Sequence, residues 1–474
     1  MSSLVDDSQS AVDPEINPGI FRAYDIRGVY GSDLTEDNIC RIGQAIGSEA
    51  LALGISTLLF GRDARLSSPS LGKALVSGIR SSGCHIVDLG VIHTPLLYFA
   101  TFASEWDSGV MLTASHNPAN YNGIKIVLRR SCLSDNQITR IYQRIVQHDV
   151  AQGSGAYQCL DMAPAYLERI TTDVRLQRRL KVVVDCGNAV TATIAPQLFR
   201  DLGCDVVTLF AELDGRFPNH DPDPTQPANL TALIRTVREQ GADLGIAFDG
   251  DGDRLGLVAQ DGEIINADLL LAMLVKDIVP RHPGKPVIFD VKCTDRLVAL
   301  VQKLGGEPIM HRSGHSLMKQ KMVATGAVLG GEFSAHVFIL DRWYGFDDGL
   351  YAAARILEIL AREPATVSVQ FARFGKRPGT GELKVPVSED RKFQLMARIE
   401  SAAKFPDARL ITLDGVRAEF ADGWGLVRVS NTSPALLLRF EGDTTAALQS
   451  IMARFKALLL QVDASLPINF PEQP

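Results

Sequence analysis

Three short loops and one hairpin carry the residues of this chain whose types and spacing could do chemistry. Asp249-Gly-Asp-Gly-Asp-Arg254 alternates three carboxylates with glycines. In an extended loop, alternate side chains point the same way, so Asp249, Asp251 and Asp253 converge while the glycines let the backbone bend. Three uncompensated carboxylates repel one another, and a hard divalent cation, preferably Mg²⁺, relieves the repulsion. Its task there would be to neutralise charge on a phosphoryl group in transfer, with Arg254 binding the same phosphate. An EF-hand calcium loop is excluded, because it needs Gly where Arg254 stands and Glu where Gln260 stands. The competing reading is a solvated acidic turn.

The second loop follows the apolar run Gly109 to Leu112 and reads Thr113-Ala-Ser115-His116-Asn-Pro118. It puts a serine hydroxyl, an imidazole and several free backbone N–H groups on one tight turn, which suits a serine that carries a phosphate; an ordinary turn is the alternative. In the third loop, Glu332 and Ser334 lie two residues apart, so an extended backbone offers an acceptor and a hydroxyl on one side, a pair suited to sugar hydroxyls. Between the runs Gly425-Leu-Val and Ala435-Leu-Leu-Leu stand Arg428, Ser430, Asn431 and Thr432. They make either a phosphate cradle or merely a hairpin turn. Lys125 and Lys292 supply positive charge or proton transfer if they are not simply solvated, and His315 is an acid–base group or a satisfied structural histidine. His93, His148, His220 and His282 take the structural reading.

Each loop ends an apolar strand inside a repeating grammar. Thr57-Leu-Leu-Phe60 stops at Gly61, Lys181-Val-Val-Val184 at Asp185, and Val287-Ile-Phe289 at Asp290; each is followed by a helical pattern, a glycine pair or Gly-Cys, and a second apolar run. Strand–helix–strand units at domain-sized intervals build parallel sheets with crossover helices. The third strands end in the Ser115, Asp249 and Glu332 loops, and ligands of open α/β sheets bind beyond the carboxyl ends of strands. From about Gly375 the pattern changes to strands flanked by helices, the last helix covering about Thr445 to Val462. The expected architecture is α/β: three related mixed-sheet domains (1–160, 161–262 and 263–374) and a smaller α+β domain (375–474), arranged around one central cleft.

At 474 residues the chain exceeds one typical core. A net charge of -7 argues against nucleic acid as a partner, although a few local arginines can still hold an anion. The seven cysteines include no Cys-x-x-Cys pair, which points to free thiols in a reducing, cytoplasmic setting rather than to zinc. No apolar run is long enough to cross a bilayer, and Met1 to Pro18 reads as a polar leader rather than a signal peptide.

Together with Phe21-Arg-Ala-Tyr-Asp-Ile-Arg-Gly28, these motifs make the chain resemble the α-D-phosphohexomutases, and within them the bacterial phosphomannomutase/phosphoglucomutase group. The resemblance runs from Phe21 to about Phe440, with one motif for each expected domain. It implies a heart-shaped isomerase with a mobile C-terminal domain. Ser115 would be the phosphoserine, and Asp249, Asp251 and Asp253 would hold Mg²⁺ together with a phosphoserine oxygen. Tyr24, Arg27, His116, Lys125, Arg254, Lys292 and His315 would surround the reacting groups. Glu332 and Ser334 would grip the sugar, and Arg428, Ser430, Asn431 and Thr432 the phosphate that is not reacting.

The activity implied is conversion of mannose or glucose 1-phosphate to the 6-phosphate, through a hexose 1,6-bisphosphate that turns over in the cleft and also serves as activator. The expected partners are phosphosugars alone, with no membrane, and a monomer is expected rather than an oligomer. Two positions depart from the family pattern: Ala114 and Ala335 stand where glycine is usual, and alanine is strained wherever φ must be positive. Phe333 replaces the group's usual Met. A phosphosugar phosphatase, a serine hydrolase and an inactive phosphosugar sensor are the rival readings. The chain lacks the Gly-x-Ser-x-Gly elbow of the second, and it keeps the nucleophile and acidic triplet whose loss would mark the third.

Overall fold

A computed structural model describes residues 16–431 and 433–470. Most of the expected leader (residues 1–15) and Thr432 of the expected cradle lie outside the described residues.

Three sheets share one strand order. In the first, Thr57–Arg62 lies between His85–Val91 and Gly109–Leu112, parallel to both, and Gly109–Leu112 pairs antiparallel with Tyr121–Leu128. Lys181–Asp185, Asp205–Leu209, Leu244–Phe248 and Leu255–Ala259 repeat that order in the second. Pro286–Asp290, Glu307–His311, Leu329–Gly331 and Val337–Ile339 repeat it in the third. The mixed sheets expected from the sequence are therefore present. Strands such as Leu244–Phe248 are buried at every position, as their unbroken apolar runs require when both sheet faces are covered.

The shared order fixes where the chemistry goes. Each of the three loops of interest (113–120, 249–254 and 332–336) joins the third strand of its sheet to the antiparallel neighbour, at the carboxyl end of a parallel strand. Gly349–Leu360, a helix capped by Asp348, begins against the second of these loops, and Gly349 N donates to the Gly252 carbonyl. The helical pattern after Asp185 is broken: a 3₁₀ turn, Val190–Thr193, precedes the short helix Ala195–Asp201.

The last unit is a five-stranded antiparallel sheet of Leu383–Pro386, Ala435–Gly442, Gly423–Val429, Val416–Phe420 and Arg409–Ile411, with the helices Lys392–Ala402 and Thr445–Val462. One continuous apolar cluster runs through the first three sheets, from Leu59 through Val182 to Val287. The antiparallel sheet has its own core, and a small cluster of Val291, Trp424 and Leu426 joins it to the third unit.

Candidate active site

Ser115 is 2 % exposed and held at φ 49°, a left-handed conformation that costs a serine about 1–2 kcal/mol. Its N–H donates to Thr113 Oγ1 at 3.0 Å. The hydroxyl donates to Asp249 Oδ2 at 2.6 Å and lies 3.2 Å from His116 Nδ1. The aspartate loop presses directly on this turn. A Cβ at Gly250 would stand 2.2 Å from the Ser115 carbonyl oxygen, so only glycine lets the two loops meet.

The three aspartates converge as expected, but not through an extended backbone. Gly252, at φ 78°, donates its N–H to the Asp249 carbonyl at 3.2 Å, closing a turn that brings the side chains to one side. All three carboxylates have no exposed surface, which rules out the solvated turn, and their candidate ligand atoms lie within 4.8 Å of one another. Lys125 Nζ donates to Asp251 Oδ2 at 2.6 Å and to Asp253 Oδ2 at 2.5 Å, and Thr94 Oγ1 also donates to Asp251 Oδ2. Asp251 Oδ1 is buried without a hydrogen-bond partner. Burial and the neighbouring carboxylates push the Asp249 carboxyl well above its usual range. Asp253 Oδ1 lies 3.3 Å from His336 Nε2, so Asp251 Oδ1 is the orphaned oxygen, and beside a crowded carboxylate it suits a small divalent cation.

Around this centre, Arg27 donates to Asn117 Oδ1 at 2.6 Å and to Asp25 Oδ2 at 2.5 Å. Arg254 Nε lies 3.2 Å from His336 Nε2 and 3.8 Å from Asp249 Oδ2. Burial, with Arg254 and Arg27 nearby, holds His116 well below the ordinary imidazole range and therefore neutral.

The third loop also departs from the extended form. Ala335 N donates to the Glu332 carbonyl at 3.0 Å, closing a turn, and Ala335 sits at φ 74°. Both Glu332 and Ser334 consequently face one imidazole: Glu332 Oε2 is 2.9 Å and Ser334 Oγ 3.1 Å from His336 Nδ1. Of the two unusual alanines, Ala335 needs positive φ and Ala114 does not. Ala335→Gly is expected to stabilise the protein by roughly 0.5–1 kcal/mol, the relief of the Cβ clash less the added chain entropy, read as a higher denaturation midpoint. An unchanged or lower midpoint would mean that the loop carries no such strain.

His315 begins the helix His315–Thr325 and packs edge-on against Tyr24, with ring centroids 5.0 Å apart. The satisfied structural reading fails: its Nδ1 is buried without a hydrogen bond, 3.5 Å from Asp347 Oδ2. Burial, Lys319 and Lys125 keep it neutral.

At the far end, Arg428 lies inside the strand Gly423–Val429 rather than in the turn, because its backbone pairs with Leu437 of the neighbouring strand. Its side chain meets Asp414 Oδ2 at 3.0 Å. Ser430 Oγ lies 2.8 Å from Ser433 Oγ, and Asn431 stands beside it at the head of the loop. Lys292 reaches this end too, donating to Glu382 Oε2 at 3.1 Å.

One cavity of ≈ 260 Å³ is lined by Tyr24, Arg27, Ser115, His116, Lys125, Arg254, Lys292, His315, Glu332, Ser334, Arg428, Ser430 and Asn431, so residues from all four units face the same space. The aspartate triplet lies buried behind Ser115. Four segments match the phosphoglucomutase/phosphomannomutase family in chain order: residues 18–151 its alpha/beta/alpha domain I, 164–262 domain II, 266–376 domain III, and 382–458 its C-terminal domain. The chain belongs to that family. A phosphomannomutase/phosphoglucomutase of Pseudomonas aeruginosa is 50% identical over 457 residues, covering 96% of this chain and 99% of the relative. A phosphoglucomutase of Neisseria gonorrhoeae is 44% identical over 449 residues, covering 94% and 97%. The crystal structure of a phosphoglucomutase/phosphomannomutase family protein of Burkholderia thailandensis superposes with a TM-score of 0.90 at 45% identity, covering 96% of this chain and all of that one.

Several residues of this phosphohexomutase site escaped sequence reasoning. His336, two residues beyond Ser334, joins the second and third loops, lying 3.3 Å from Asp253 Oδ1. Thr94 opens a largely apolar helix, and Asp414 and Glu382 sit in loops of ordinary composition. Nothing in their local sequence marks them; the contacts exist only after the sheets are assembled. Among the described residues no helix is long and apolar enough to cross a membrane.

Proposed function

We propose that the chain interconverts the 1- and 6-phosphates of mannose and glucose, with Ser115 as the phosphate carrier. The observation that carries this reading is the Ser115 hydroxyl, bonded to Asp249 at one end of a cavity whose other end holds Arg428, Ser430, Asn431 and Lys292. Cations at both ends of a sugar-sized space suit a molecule with phosphate at two positions. Asp249, Asp251 and Asp253, with an oxygen of phosphorylated Ser115, would hold Mg²⁺, which when bound offsets the charge of the phosphoryl group.

In the first half-reaction the bond from phosphorus to Ser115 Oγ breaks and a bond to the sugar's free hydroxyl forms. The hydroxyl proton passes to a base, and neutral His315, its Nδ1 unengaged, suits that role. Arg27, Arg254 and Lys125 hold the transferring group in line, with His116 and Tyr24 closing around it. Once the 1,6-bisphosphate has reversed its orientation, the other phosphate returns to Ser115 Oγ and the released sugar oxygen takes up the proton. Glu332 and Ser334 would read the same pair of sugar hydroxyls in both orientations and so barely sense C2, where glucose and mannose differ. The separate core of the last unit supports a hinged domain that opens during this reversal. Boundaries near 160, 262 and 374, a monomeric state and a cytoplasmic setting complete the reading.

A coupled assay with mannose 1-phosphate and glucose 1-phosphate, primed by a trace of the 1,6-bisphosphate, tests it; release of inorganic phosphate instead of the 6-phosphate would identify a phosphatase. Arg428→Ala is expected to raise KM roughly 10- to 100-fold with a smaller change in kcat, since it removes a charge-assisted contact to the non-reacting phosphate. An unchanged KM would remove Arg428 from the cradle.

A further inference from the structure

Arg65 is 1 % exposed and does not line the substrate cavity. All five of its N–H groups are used. Nε donates to Asp63 Oδ2 at 3.1 Å; Nη1 donates to the carbonyls of Pro118 (2.5 Å) and Tyr121 (3.2 Å); Nη2 donates to those of Ser115 (2.8 Å) and Asn117 (2.6 Å). Three carbonyl oxygens of one loop, and that of Tyr121 where the next strand begins, thus point at a single guanidinium. Their dipoles repel in that arrangement, and a planar cation with five donors meets the requirement where a three-donor ammonium does not.

The arginine is itself held in place. Asp63 accepts from Ser68 Oγ at 2.5 Å and from Arg65 N at 3.1 Å. The Phe217 ring of the second unit lies 5.1 Å from the guanidinium carbon. Next to it, a Cβ on Gly215 would stand 2.5 Å from Ala64 O, so that segment packs directly on the Arg65 backbone. Ser115, at φ 49°, keeps a costly backbone conformation only if its surroundings over-determine it, and the fork of Arg65 with the contact of Gly250 does so.

We propose that Arg65 is the positioning residue of the phosphate-carrying loop, aiming the Ser115 hydroxyl along the transfer line without touching the sugar. This rests on the reading of Ser115 as phosphate carrier. Displacing a reacting atom by about 1 Å costs on the order of 100-fold in rate, so Arg65→Met is expected to lower kcat by ~100-fold while KM for glucose 1-phosphate stays within about threefold. Arg65→Lys is expected to lose nearly as much, because charge alone does not reproduce the fork.

The test measures kcat and KM for Arg65→Met, Arg65→Lys and Arg65→Ala, alongside their denaturation midpoints and radiolabel uptake from the bisphosphate onto Ser115. Added guanidinium ion is expected to restore at least about tenfold of the Arg65→Ala rate, and methylammonium to restore none, since only the former offers the planar donor set. Parent-like kcat in Arg65→Met would overturn the inference. So would kcat and substrate affinity falling together with the folded fraction and without guanidinium rescue, which marks a merely structural arginine. An unlabelled Ser115 in the parent protein would overturn the carrier reading as well, whereas a labelled parent with an indifferent Arg65 strikes this inference alone.

Discussion

Ser115→Ala is expected to lower turnover of hexose 1-phosphate by ~10⁴-fold or more, with substrate binding little changed. The hydroxyl is bonded to Asp249 at 2.6 Å and opens onto the cavity, where the chemistry of the proposal requires an oxygen that accepts and returns phosphate. A methyl group fits the same space but offers no lone pair, while Lys292, Arg428 and the sugar contacts remain in place to bind substrate. The check is kcat in the coupled assay with saturating bisphosphate, together with calorimetric binding of glucose 1-phosphate. Parent-like turnover in the variant would end the phosphoserine mechanism. Loss of turnover and binding together would instead assign Ser115 to the architecture of the cleft.

Removal of one carboxylate charge from the triplet should have the next largest effect. Asp251→Asn is nearly isosteric, so it changes charge with little change of shape. Asp251 Oδ1 has no hydrogen-bond partner, which frees it for a metal ion, whereas Oδ2 is already committed to Lys125 and Thr94. The substitution is expected to weaken Mg²⁺ binding and to lower kcat by roughly 10²–10³-fold, as loss of one strong electrostatic contact does at other transfer sites. Calorimetric titration of Mg²⁺ into parent and variant, beside activity as a function of Mg²⁺, reads both effects. A parent enzyme that works at full rate in excess chelator would remove the metal from the proposal.

The two loops whose function was easiest to read illustrate how local that legibility was. Asp249, Asp251 and Asp253 announce a metal site because three carboxylates within five residues must converge or repel, and Ser115 stands out because an apolar strand stops so abruptly before it. The expected geometry was nevertheless wrong in detail. Both the aspartate loop and the Glu332–Ser334 loop are tight turns rather than extended segments, with Gly252 and Ala335 at positive φ. A turn and an extended loop can each bring alternate side chains to one side, and composition does not separate them. Arg428 was similarly displaced, from a turn to the strand before it, because strand ends depend on pairing with a partner that local sequence does not show.

By itself, then, the sequence determined the repeated strand–helix–strand plan and singled out Ser115, the acidic triplet and the loops at Glu332 and Arg428, since each rests on residue types within a few positions of one another. Only the tertiary structure decided which distant groups complete them: Arg65 beneath Ser115, His336 beside Arg254 across 82 positions of chain, and Lys125 on Asp251 across 126. Periodicity reports which face of an element is buried. It carries no record of which buried polar groups will meet when three sheets of the same strand order turn the ends of their third strands toward one another.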